Sequence, residues 1–355
     1  MSISDKLLDL LTGYDVDLVR VEAYLQKGIT KDIKALEKSL IALLKGNELD
    51  YTDSQRLRKA LGQQLINDAK TEIVIAYGQI NETHQISLTD VAKLGEKQII
   101  EALNKVLKVD LITTTISAQS LSSIAKNTLI MGAPSKAWWL RQSKGLQNQF
   151  TDLIRQSMVQ GLTTPQIVQL VRGSKAAGYK DGIMSAKYRN AEALVRSSVQ
   201  TVANAGRLKA YQANDDIVKG IEWVSTLDNR TSTTCMALDG KQWTVHLKPI
   251  GHNKVFPGAT AHWNCRSSQI SVLKSWDELG AKRRFSEVPE STRASMDGQV
   301  SAKKNYEDWL KGKPESFQKE VLGEGKWNLW KNGKLGFTDL VDQSGNPLPL
   351  SALVN

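Results

Sequence analysis

Apolar residues recur at three- and four-residue spacing through most of this chain, the period of amphipathic helices. Leu7, Leu8 and Leu11, then Val16, Val19, Val21, Tyr24 and Leu25, then Leu36, Leu40, Leu43 and Leu44 follow that period as far as the stop signal Gly46-Asn47. Leu61, Leu65, Ala69, Ile73 and Ala76 predict a second helix ending near Gly78. Thr89-Asp90 reads as the start of a further helix through Leu94, Ile99, Leu103 and Leu107. Between these, His84 falls in a polar, loop-like run and is expected to face solvent.

From Asp110 to Gly132 the chain is rich in Thr, Ser and Ile, and either a polar-faced helix or an extended connector fits. Gly132-Ala133-Pro134 breaks the chain, and Ser135 reads as the cap of a helix carrying Trp138, Trp139 and Leu146. Paired tryptophans suit a core or interface better than base stacking. Leu153, Ile154, Met158 and Leu162 continue the period, and Gly161-Leu162-Thr163-Thr164-Pro165 stops one helix and starts another through Ile167, Leu170 and Val171. The loop from Gly173 to Gly182 lacks the Gly-Lys-Ser/Thr ending of a phosphate-binding loop and reads as flexible and basic. Residues 187–213 give the clearest helix. Leu194, Val195, Val199, Val202, Ala205 and Leu208 form its apolar face, and Arg189, Arg196 and Arg207 form an opposing stripe able to hold phosphate or carboxylate.

Strict alternation is confined to Gly220–Leu273. Ile221 and Trp223 alternate with Glu222 and Val224, and Ser268 to Leu273 alternates again, predicting two strands. Asp228-Asn229-Arg230 is turn chemistry, held by an internal ion pair or side-chain-to-backbone bonds, Thr231 to Leu238 suits short helical turns, and Asp239-Gly240 closes them or turns a hairpin. Beyond Val272 the pattern is helical and polar. Lys282-Arg283-Arg284 reads as a solvated face, Tyr306, Trp309 and Leu310 share one helix face, and Phe317, Val321 and Leu322 share another. The expected fold is therefore mostly α with a small α+β domain. Its predicted organisation is a helical region over 1–120, a helical basic region over 121–214, a short-strand core over 215–275 and a helical C-terminal region over 276–355.

Composition adds a charge asymmetry. The net charge of +10 resides in residues 120–272, where 19 Lys and Arg face 8 Asp and Glu, and a local basic surplus suits an anionic neighbour such as nucleic acid. No apolar run approaches the roughly 18 residues of a membrane span, and the N-terminus lacks a signal-peptide layout, so a soluble, non-exported protein is expected. Two cysteines in 355 residues do not make a disulfide scaffold.

Both cysteines and three of the four histidines lie in the alternating stretch. Cys235, His262 and Cys265 are candidate ligands for structural zinc, with His246, His252 or Asp239 to complete four. Buried thiols beside a hydrogen-bonding histidine, and a Cys235–Cys265 disulfide, are the competing readings. A nucleophilic Cys235 has no activating signature in Thr-Thr-Cys-Met-Ala, and the His-x-Glu and Pro-Cys-x-x-Cys pair of zinc deaminases is absent, so a non-enzymatic protein is expected.

Trp223, Thr226, Asp228, Arg230 and Thr231, then Cys235, then Leu238-Asp239-Gly240, then His262, Asn264, Cys265 and Arg266 together resemble the core of the phage Mu F-like minor head protein family. These are head-morphogenesis proteins of tailed bacteriophages. Residues 306–348 also resemble the C-terminal part that many members carry. The family pattern is departed from in two places: Arg196-Ser197-Ser198 stands where the family has Arg-Thr-Glu, and Ser267 stands where many members add a cysteine. The resemblance implies a minor head protein attached at the portal vertex, acting in head assembly, DNA packaging or ejection. It implies the portal protein as partner, with the major capsid protein or scaffold and the packaged DNA as others, and residence in the virion head after assembly in the host cytoplasm. A free nucleic-acid-binding protein using the basic middle region is the alternative, and a Cys-dependent hydrolase a more distant one.

Overall fold

A computed structural model of the protein describes residues 3–47, 55–107, 115–275, 278 and 292–354. Helices α1 (Ile3–Gly46), α2 (Gln55–Leu107), α3 (Ala118–Asn127), α4 (Ser135–Gln160), α5 (Thr164–Arg172) and α6 (Ser185–Ala213) precede the first strand. Strand β1 (Val218–Val224), helix α7 (Thr233–Leu238) and strands β2 (Gln242–Thr244), β3 (Pro249–Ile250) and β4 (Ser268–Leu273) follow. The hairpin β5 (Thr292–Ser295) and β6 (Gly298–Ser301) leads into helices α8 (Tyr306–Lys311), α9 (Glu315–Leu322) and α10 (Glu324–Lys331). Among the described residues the fold is mostly α, with a small four-stranded antiparallel sheet and a separate two-stranded hairpin. None of the described helices is long and apolar enough to cross a membrane. The expected solvated cluster Lys282-Arg283-Arg284, the start of the Asp110–Gly132 segment, and the side chains of Leu7, Leu8, Leu11 and Leu107 lie outside the described residues.

The chain divides into two compact units. The helical unit comprises Arg20–Thr89 and Lys126–Val199. Its interior is filled by Ile33, Leu36, Leu40 and Leu44 of α1, Leu65, Ile73 and Ile80 of α2, and Trp139, Leu146, Phe150 and Ile154 of α4. Thr163 caps α5 in a capping box with Gln166, as the Thr-Thr-Pro sequence predicts. Ser135, by contrast, does not cap α4: Pro134 holds the cap position and the Ser135 hydroxyl is buried against the Gln85 amide. The loop after Gly173 is tied down, its Ser174 amide and hydroxyl both donating to the Asp181 carboxylate at 2.7 Å.

Two further expectations fail in α2. The helix runs unbroken through Gly78 and Thr89, and His84 is fully buried inside it rather than exposed in a loop. A helical glycine costs only about 1 kcal/mol, which packing overrides. The polar residues do not break the helix because the Ser87 and Thr89 hydroxyls donate back to the carbonyls of Thr83 and Gln85, at 3.0 and 3.1 Å. Trp139 Nε1 donates to His84 Nδ1 at 2.9 Å, and His84 Nε2 sits 2.9 Å from the Ser198 hydroxyl. An acceptor at Nδ1 means that the ring is neutral with its proton on Nε2, and burial lowers its pKa from 6.5 to about 4.

The sheet unit comprises Met1–Val19, Asp90–Ala125 and Gln200–Asn355. Its sheet has the strand order β3-β2-β1-β4, all neighbours antiparallel. Trp223 opposes Gln269 of β4, Ile221 opposes Trp243 of β2, and Gly220 opposes Thr244. Gly220 has no room for a side chain, since a Cβ would lie 2.4 Å from the Trp243 carbonyl oxygen. One core gathers Trp223 and Trp243 with Ile221, Cys235, Leu238 and Tyr211. A second packs Leu227 and Met236 against Tyr306, Trp309, Leu310, Trp330 and Phe337. The β5–β6 hairpin lies where helix was expected, and Asp297-Gly298 at its turn, with Gly298 at φ 108°, was the signal for it.

Within this unit α2 and α6 cross on small residues. A Cβ at Gly95 would lie 2.5 Å from the Ala203 carbonyl oxygen, and one at Gly206 would lie 2.5 Å from that of Ala92. Gly206→Ala is therefore expected to destabilise the protein by about 1–3 kcal/mol through overpacking, despite alanine's better helix propensity. Gly78→Ala, where nothing lies within 4 Å, should be neutral or stabilising. Thermal denaturation of the two variants checks the sign, and a stabilised Gly206→Ala protein would refute the close crossing.

The buried histidine predicts a pH dependence. The unfolded imidazole protonates near 6.5 and the folded one only near 4, so the unfolded state binds the proton first as pH falls. Stability is complete above about pH 6.5 and declines towards pH 4, by about 3 kcal/mol in all. Urea denaturation of the wild type and of His84→Asn across that window should show a shallower decline in the variant, and parallel curves would refute the assignment.

Candidate functional site

The family-like residues assemble where β1 ends and α7 begins. After Val224 the chain turns through Asp228, whose carboxylate Oδ1 accepts from the Arg230 amide at 3.0 Å and the Thr231 hydroxyl at 3.2 Å. Thr231 Oγ1 also donates to the Thr226 carbonyl at 2.5 Å. The expected ion pair involves a different arginine from the nearest in sequence. Arg266 donates to both carboxylate oxygens of Asp228, at 2.6 and 2.8 Å, whereas the Arg230 side chain is exposed and 3.8 Å away. Burial pushes the Asp228 carboxyl up, but the hydrogen bonds and charge of Arg266 outweigh it and hold the group below the usual carboxylate range.

Asp239 is more deeply placed. Its oxygens accept from the Ser225 amide at 2.6 Å, the Tyr306 amide at 2.6 Å and two nitrogens of Arg293 at 2.9 and 3.0 Å. Arg293 also donates to the carbonyls of Ser225 and Lys304. Gly240, at φ 75°, then returns the chain to the sheet with its amide on the Trp223 carbonyl at 2.8 Å. Nothing in the local sequence marks Arg293 as the partner of Asp239. It is separated from Asp239 by 54 positions, and the polar pattern around it suggested helix.

The cysteines and His262 meet beside this scaffold. Ser232 caps α7 by accepting from the Cys235 amide at 3.2 Å, which sets the Cys235 side chain inward. His262 and Cys265 belong to one tight turn, with the Cys265 amide on the His262 carbonyl at 3.2 Å and Asn264 in the left-handed region at φ 58°. Asparagine tolerates that conformation better than other residues with side chains. The Cys235 sulfur lies 3.7 Å from that of Cys265 and 3.2 Å from His262 Nε2. The ligand atoms of all three residues fall within 4.8 Å of one another. His262 Nδ1 lies 2.8 Å from the Trp263 carbonyl oxygen, which only accepts, so Nδ1 carries a proton. The contact between the thiols and their burial push Cys235 up; the bond from Cys235 and the neighbouring imidazole pull Cys265 down and outweigh its burial. The hydrogen bond with Cys265 in turn raises His262.

The other proposed fourth ligands are elsewhere. Asp239 is taken up by Arg293, and His252 packs edge-on against Trp243 while bonding the Gln242 carbonyl at 2.7 Å. The arginine stripe of α6 is also not a stripe. Arg207 is fully buried and pairs with Asp15 at 2.9 Å and Gln98 at 3.0 Å. Arg196 pairs with Glu22 at 2.7 Å, and Arg189 donates to Ser185 at 2.8 Å. The helix is buried on more than one side, with Ser197, Ser198, Thr201 and Asn204 all enclosed. An angular projection cannot distinguish an exposed polar face from one packed against other elements.

Removing one member of a buried ion pair strands the other. Asp239→Ala is expected to cost about 3–5 kcal/mol, and Arg266→Ala less, because Arg266 keeps about a third of its side chain in solvent. Chemical denaturation orders the two, and an Asp239→Ala protein as stable as wild type would refute the anchoring role.

The model of the family described as Phage Mu protein F like protein matches residues 148–270. Neither the curated proteins nor the solved structures gave a match. The matched stretch includes α5, α6, the first turn with Asp228, all three members of the Cys-His-Cys cluster and Arg266. Residues 148–270, about a third of the chain, are thus similar to the phage Mu F-like proteins, and the motif residues of that stretch come together in the structure.

Proposed function

We propose that this protein is a head-morphogenesis protein of a tailed bacteriophage, built into the head at the portal vertex as a minor component. The observation that carries the reading is the phage Mu F-like match over residues 148–270, with Asp228, Cys235, Asp239 and Cys265 of its motif buried as scaffold. Asp228 is held by Arg266, Asp239 by Arg293, and both thiols are buried. Residues committed to internal pairs in this way support a structural rather than a catalytic role. The portal protein is the proposed partner, with the major capsid protein or scaffold and packaged DNA as further contacts.

The competing reading, a free nucleic-acid binder, relied on the α6 arginines. With Arg207 buried and Arg196 paired to Glu22, that reading keeps only Arg189 of the three as an exposed guanidinium not engaged by a carboxylate among the described residues. The basic surplus of residues 120–272 persists as a diffuse charge.

Quantitative peptide mass spectrometry on purified, DNA-filled particles tests the proposal. A few copies per particle, and non-infectious particles when the gene carries a nonsense mutation, are the expected results. Absence from particles while the protein is abundant in infected cells would overturn it.

A further inference from the structure

We propose that Cys235, His262 and Cys265 bind a Zn²⁺ ion, with an oxygen ligand from solvent or the Ser232 hydroxyl completing a tetrahedron. Four observations carry the assignment. First, the spacing fits: zinc–sulfur bonds near 2.3 Å at tetrahedral angles put two sulfurs about 3.8 Å apart and a sulfur and an imidazole nitrogen about 3.6 Å apart. The observed separations are 3.7 Å between sulfurs and 3.2 Å from the Cys235 sulfur to His262 Nε2. Second, the histidine is pre-set. Its Nδ1–H is fixed on the Trp263 carbonyl, which leaves Nε2 as the nitrogen turned to the Cys235 sulfur. Metal-bound histidines are oriented by such a bond on the far nitrogen.

Third, the ligands come from two structural pieces, each held by its own local hydrogen bond. Cys235 is placed by the capped α7, and His262 with Cys265 by the left-handed turn at Asn264. Fourth, a hydroxyl is in place, Ser232 Oγ lying 2.7 Å from His262 Nε2. Two thiolates and an imidazole select a borderline-soft ion and disfavour calcium or magnesium, which take oxygen ligands. A disulfide would use the two sulfurs alone, requires them to close to about 2.05 Å, and leaves the orientation of His262 unexplained.

The test uses the full-length protein, purified anaerobically in reductant without chelator. Elemental analysis should find about one zinc per chain, and X-ray absorption should show two sulfur and two nitrogen or oxygen neighbours. After chelation, Co²⁺ alone should restore thiolate-to-cobalt charge-transfer absorption. Cys265→Ser and His262→Ala should each lose most of the bound zinc, with circular dichroism confirming that the variants remain helical. If a variant unfolds, the wild-type X-ray absorption decides the ligand set. A folded wild-type protein without zinc and without a cobalt charge-transfer band would overturn the site, whether its thiols are free or joined as a disulfide. Zinc retained by a folded Cys235→Ser/Cys265→Ser double variant would overturn it too.

Discussion

The buried carboxylate of Asp239 is the constraint around which the sheet unit is built. A carboxylate offers about four lone-pair positions, and here four donors meet them: the amides of Ser225 and Tyr306 and two nitrogens of Arg293. Burying a charge is tolerable only when it is paired and fully hydrogen-bonded. That requirement fixes the end of β1, the turn after α7, the β5 strand and the start of α8 against one point. The second pair, Asp228 with Arg266, sits nearer solvent and joins the same turn to the strand β4 side, while Tyr306 donates to the Asp228 carbonyl at 2.7 Å. Two carboxylates thus hold one turn from both sides.

What was legible in the sequence was what depends on neighbours along the chain. The alternation of Ile221 and Trp223 gave β1, the alternation from Ser268 gave β4, and Thr163-Thr164-Pro165 gave the start of α5. The Cys-His-Cys set was legible too, because Cys235, His262 and Cys265 are rare residues concentrated in a short stretch and the fold brings them together. What depends on distant neighbours was not legible. His84 stands in a polar run, yet Trp139 and Ser198 supply its hydrogen bonds from elsewhere in the chain. Arg207 looks exposed on a helical projection, yet Asp15 and Gln98 enclose it. Arg293 carries no local signal at all.

The helical unit reaches its polar interior by a different route. His84 is kept neutral by burial and satisfied by an indole and a hydroxyl, so no opposing charge is needed. Charge compensation in the sheet unit and neutralisation in the helical unit are two solutions to the same desolvation cost.

The dependence of Asp239 on Arg293 and Tyr306 also bears on how such a protein can be exchanged between genomes. Residues 148–270 match the family, but the cation for Asp239 lies at 293, and Lys254 and Thr234 are fastened to the carbonyls of Val341, Asp342 and Gly345. A recombination joint placed just after residue 270 would bring in a foreign sequence with no guarantee of a guanidinium at the right depth. The heritable module is therefore longer than the stretch by which it is recognised, and productive crossovers should fall outside the C-terminal segment that supplies these contacts.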